Sequence, residues 1–84
     1  MKRPKLLLNN YLLHRVDAAR NMARFYAVSI EPNLWGEVSL VRRYGRIHTR
    51  GRVLIESFQS WGQAETRRAA LVGSKLRRGY RPVS

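Results

Sequence analysis

Phe25-Tyr26-Ala27-Val28-Ser29-Ile30-Glu31-Pro32-Asn33-Leu34-Trp35-Gly36-Glu37-Val38-Ser39-Leu40-Val41-Arg42-Arg43-Tyr44-Gly45-Arg46-Ile47 decides the fold. From Phe25 to Ile30 the residues alternate, with Tyr26, Val28 and Ile30 on one face and Phe25, Ala27 and Ser29 on the other, the period of a β-strand. Glu31-Pro32-Asn33 is a turn by composition. A second strand is expected from Trp35 or Glu37 through Ile47, with Val38, Leu40, Arg42, Tyr44 and Arg46 on one side and Val41, Arg43 and Ile47 on the other. The connector is too short for a parallel crossover, so the two strands form an antiparallel ribbon.

Working outward, Tyr11 to Val16 reads as a short strand closed by Asp17, and Arg20-Asn21-Met22 as a connection. Thr49-Arg50-Gly51 marks another turn, and Arg52 to Phe58 a further strand in which Val53, Ile55 and Ser57 alternate with Leu54, Glu56 and Phe58. Ser60-Trp61-Gly62-Gln63 fits a capping box, so a helix should begin there. Its apolar stripe would be Trp61, Ala64, Ala69, Leu71, Val72 and Leu76. Glu65 and Arg68 interrupt that stripe and are expected to pair at its rim rather than enter the core. Gly79 supplies a left-handed stop, and Tyr80-Arg81-Pro82-Val83 a final extended edge. The fold class is therefore α+β: an antiparallel sheet of about four to five strands packed against one long C-terminal helix. Residues 1–10 form a basic lead-in, and residues 11–84 the domain.

An 84-residue chain holds one small core and has little room for a deep enclosed pocket. It has no cysteine, two histidines and five acids, a poor stock for thiolate metal sites or proton transfer. No Ser/His/Asp set, HExxH motif, phosphate-cradling loop or paired-carboxylate spacing can be assembled, so no enzyme, cofactor, metal or small-molecule substrate is expected. Lys2-Arg3-Pro4-Lys5 and Leu6-Leu7-Leu8 faintly imitate a secretory signal, but Asn9-Asn10 interrupts the apolar run. No stretch approaches the roughly 20 apolar residues of a membrane span. A cytoplasmic protein without a membrane partner is the expectation.

Seventeen Lys and Arg against five acids give a formal charge of +12, and fourteen of the seventeen are Arg. Such an excess points to a polyanionic partner. Its densest feature is Arg42, Arg43, Arg46, Arg50 and Arg52, with no acid among them. Tyr44 and Arg46 lie two apart on an extended segment and face the same way, a ring for a base or sugar beside a guanidinium for phosphate. Tyr44 also has a plain reading as a core strand aromatic, and both readings stand here. Five like charges on one hairpin repel, which favours a binding role for the cluster. Lys75, Arg77 and Arg78, a secondary basic patch with Arg67, Arg68 and Arg81 nearby, are explained equally by the helix dipole. His14 and His48 read as structural, and Trp35 and Trp61 as turn and core residues.

Asn33 through Gly51 resembles the signature of WGR domains. The resemblance extends upstream through Asn21-Met22-Ala23-Arg24-Phe25-Tyr26 and downstream through Phe58, Ala64 to Leu71, and Lys75-Leu76-Arg77-Arg78-Gly79-Tyr80. It implies an antiparallel sheet with one long helix. In DNA-repair poly(ADP-ribose) polymerases the motif tryptophan meets the 5′ end at a DNA break, and the motif arginine makes DNA and interdomain contacts. The corresponding residues here are Tyr44, Gly45 and Arg46, and tyrosine offers a smaller stacking face than indole. The chain has no polymerase catalytic region, so no ADP-ribosyl transfer is implied. The expected partner is nucleic acid, DNA ahead of RNA, held by Arg42, Arg43, Arg46, Arg50 and Arg52 with Tyr44 stacking. The alternative is an adaptor docking an acidic protein through the same face.

Overall fold

The structure, a computed structural model, describes residues 10–83. Apart from Asn10, the basic lead-in lies outside the described residues. Strands β1 (Asn10–Asp17), β2 (Met22–Pro32), β3 (Val38–Arg46), β4 (Arg52–Phe58) and β5 (Arg81–Pro82) form one sheet, with helix α1 (Trp61–Arg77) between β4 and β5. The order across the sheet is β4-β3-β2-β1-β5, and every pairing is antiparallel. This is the expected α+β architecture.

The β2–β3 ribbon sets the core. Its register places Tyr26 opposite Tyr44, Val28 opposite Arg42, and Ile30 opposite Leu40. Leu13, Tyr26, Val28, Ile30, Val38 and Leu40 are buried on the face that α1 covers, with Ala64 and Tyr80 completing the cluster. Trp61, Leu71 and Val72 of the helix pack against it.

Several expectations need correction. The second hairpin strand begins at Val38, not at Trp35 or Glu37. Asn33 holds the turn instead: its Oδ1 accepts from the Trp35 and Glu37 amides, each at 3.0 Å. Trp35 is thereby turned outward, 79% exposed, and takes no part in the core. β2 starts at Met22, three residues before Phe25. Asn21 explains the early start, since its left-handed backbone (φ 53°) ends a 3-10 turn at Ala18–Arg20 and redirects the chain at once.

Helix α1 starts as its cap residues require. Ser60 Oγ accepts from the Gln63 amide at 3.2 Å, while Gln63 Oε1 reaches back to the Gln59 amide at 3.1 Å. Its buried stripe differs from the expected one, because Ala69 and Leu76 are exposed. Arg68 takes a central place, only 8% exposed, with its guanidinium carbon 4.8 Å from the Tyr11 ring centroid. It still approaches Glu65, at 3.9 Å, but from inside the stripe rather than at its rim. A long cationic side chain can bury its stem and rest its head on an aromatic face, which apolar counting misses. Gly79 (φ 101°) then turns the chain back, and β5 pairs with β1.

Candidate nucleic-acid interface

Tyr44 lies on the helix-covered face of β3, half-buried between Tyr26 on β2 and Arg52 on β4. Its ring centroid is 6.3 Å from that of Tyr26. The turn carrying Arg50 folds tightly against it, because Gly51 (φ 73°) brings its backbone where a Cβ would strike the Tyr44 carbonyl and the Phe25 ring. Only glycine fits there.

The five arginines separate once strand pleat and turns are in place. Arg42 shares the Tyr44 face, is largely buried, and lies 3.9 Å from Glu56. Arg43 projects from the opposite sheet face. Arg46 returns to the Tyr44 side, where its guanidinium donates to Asn21 O at 3.2 Å and Asn21 Oδ1 at 3.3 Å. Arg50 and Arg52 are exposed at the turn and at the start of β4. Thr49 braces this end by donating from Oγ1 to Arg46 O at 2.7 Å.

Helix α1 brings part of the secondary basic patch to the same place. Two open depressions of about 300 and 380 Å³ share Tyr44 and Lys75. Tyr26, Arg42, Leu71, Ser74 and Arg78 complete the first, and Arg24, Gly45, Arg46 and Tyr80 the second. Arg77 lines neither. The two form one cleft walled by tyrosines and rimmed by cations.

Its electrostatics are unbalanced. Burial pulls the Lys75 ammonium below its ordinary value, and Arg78, Arg24 and Arg42 push it further down. Burial likewise raises the Tyr26 phenol, against the pull of Arg42 and Arg67. Among the described residues, the Tyr26 hydroxyl and Arg42 Nε are buried without a hydrogen-bond partner. Among the described residues, Glu56 is the only carboxylate paired with a cation of this cleft, and it is shared with Arg67 at 3.1 Å. Two of the other acids, Glu31 and Glu37, stand at the far end of the β2–β3 ribbon. The cleft therefore offers guanidinium and ammonium donors to an anion, with tyrosine surface beside them.

Sequence reading missed Arg24, Tyr26 and Tyr80. The hairpin register carried a usable signal for two of them, since a turn over residues 33–37 sets Tyr26 against Tyr44 and Arg24 against Arg46. Tyr80 had no such signal, because it arrives only through the reversal at Gly79. Among the described residues no group of three or more His, Asp or Glu could hold a metal ion, and no helix is long and apolar enough to cross a membrane.

Comparison with known proteins places this architecture. The family profile described as the WGR domain matches residues 9–84. An uncharacterized protein of Sinorhizobium fredii, y4dW, is 46% identical over 70 residues, which cover 83% of this chain and 34% of that protein. A crystal structure of a protein from Bacteroides fragilis superposes with a TM-score of 0.76 at 20% identity, covering 89% of this chain and 19% of that one. The chain thus spans about a third of the length of its curated relative, and that structural likeness is one of fold.

Proposed function

Since the chain belongs to the WGR domain family, we propose that it is a nucleic-acid-binding module that receives the backbone of a DNA strand, and its end in particular, in the Tyr44–Lys75 cleft. The carrying observation is Lys75, held among Arg24, Arg42 and Arg78 with its ammonium destabilised and with no carboxylate paired to it among the described residues. A phosphate would relieve that repulsion and supply the missing acceptor. Arg46, pre-set by Asn21, adds a planar donor at one lip, and the half-exposed Tyr44 ring offers a surface to the terminal sugar or base. Arg50 and Arg52 extend the positive surface along the turn. Arg43, on the other sheet face, does not reach the same strand.

This reading narrows the expected hairpin cluster to Arg42, Arg46, Arg50 and Arg52, and joins Lys75 and Arg78 to it. Direct binding to blunt, nicked and single-stranded probes in low salt tests it. Preference for probes with an accessible end, reduced by Arg46→Ala and by Lys75→Met, supports the reading. Absence of binding to every probe contradicts it, as would capture of an acidic protein that survives nuclease treatment and is lost with the same substitutions.

A further inference from the structure

The two edges of the sheet are unlike. β5 ends one side with only two residues, one of them Pro82, the kind of short, proline-blunted edge that resists further pairing. β4 ends the other with seven residues, no proline, and an unbroken register against β3. No described strand covers its outer side. Val53, Leu54 and Ile55 are 53%, 44% and 63% exposed there. Val53 and Ile55 also open onto the sheet face that α1 leaves bare, beside Val41 and Arg43.

We propose that β4 pairs antiparallel with β4 of a second copy of this chain, about a twofold axis at Leu54, giving a continuous ten-stranded sheet. Pairing in one plane keeps both helices on the same side, so a residue must face one of the same pleat. Centred on Leu54, Arg52 stands opposite Glu56 of the other copy, Val53 opposite Ile55, and Leu54 opposite Leu54. Opposite charges or apolar groups meet at each of the five paired positions, residues 52–56. Sliding the axis to Ile55 sets Leu54 against Glu56 and Arg52 against Phe58, and sliding it to Glu56 sets two carboxylates together. An axis at Val53 sets Arg52 against Leu54, so the sequence of β4 favours the register centred on Leu54.

Each copy carries a formal charge of +12, so association tightens as salt screens the repulsion. That trend is opposite to the one expected for nucleic acid, and the proposal does not rest on the Tyr44 cleft. Sedimentation velocity of the protein without nucleic acid, over a concentration series in low and high salt, should show a shift from monomer to dimer that is stronger in high salt. Because the chain has no cysteine of its own, single cysteines report the register under mild oxidation. Leu54→Cys should cross-link to itself, whereas Val53→Cys and Ile55→Cys should link to one another when mixed and poorly alone. Arg52→Glu, which sets two carboxylates opposite each other, should abolish the dimer while leaving the circular dichroism unchanged. A monomer at every concentration and salt, or cross-linking that does not peak at residue 54, overturns the proposal.

Discussion

The Lys75 ammonium lies 4.9 Å from the centroid of the Tyr26 ring and 5.3 Å from that of Tyr80. Helical spacing puts it there: Trp61, Ala64, Arg68, Leu71, Val72 and Lys75 follow one another along a single face of α1. The two rings give the ammonium favourable π-faces at the floor of the cleft, while three guanidinium groups oppose it from the rim. A cation so placed is soluble in the core, yet no carboxylate pairs with it among the described residues.

Lys75→Met keeps the stem and removes the charge. Losing the ring contacts while relieving the repulsion should change unfolding free energy by less than about 1 kcal/mol. Affinity for end-bearing DNA should nevertheless fall, by an amount exceeding that of Arg77→Met on the outside of the helix. Chemical denaturation and fluorescence anisotropy measure the two effects separately.

Protonation of Lys75 gives the interaction a pH signature. Its value in the free protein is lowered from 10.5, and a bound phosphate must raise it. Affinity is therefore full below the free-protein value and falls as pH rises from there to the value in the complex. Stability responds the other way, because between the lowered value and 10.5 the unfolded chain holds more protons, so stability rises with pH over that window. The raised Tyr26 phenol reverses the trend above its ordinary value of 10.0, where the unfolded chain deprotonates first. Titrations with Lys75→Met should show a weaker alkaline loss of affinity and no rise in stability.

Tyr44→Ala removes the surface offered to a terminal nucleotide and leaves the cations in place. A loss of about 1–3 kcal/mol is expected on end-bearing or single-stranded probes. Closed circular duplex should be bound almost as before. Competition between linear and circular DNA reads the difference.

Gly51→Ala should destabilise the fold by more than about 1 kcal/mol, since it combines a left-handed backbone with a Cβ driven into the Tyr44 carbonyl. Gly62→Ala at the first turn of α1, where a Cβ meets open space, should not. Thermal unfolding of the two variants distinguishes a turn that positions Tyr44 from a general intolerance of glycine replacement.

The sheet and helix were legible because their signals are local. Alternation from Phe25 to Ile30, the cap at Ser60 and the stop at Gly79 each act within a few residues. Alternation also placed Arg42, Tyr44 and Arg46 on one side and Arg43 on the other. What could not be read was which distant residues close over Tyr44. Arg24 comes from β2, Lys75 from the last turn of α1, and Tyr80 from beyond it, and only the packing of helix on sheet brings them together. Counting apolar positions also misplaced Arg68 and Lys75, because their buried parts are hydrocarbon and their charged ends rest on rings.

The most direct measurement is the affinity of the intact chain for a short blunt duplex between about 50 and 200 mM salt. Engagement of about six phosphates by the cleft and its turn should weaken binding by about 10³ across that range. Lys75→Met should flatten the slope by nearly one charge. Affinity that does not change with salt, or a duplex left unbound at the lowest salt, would contradict the account.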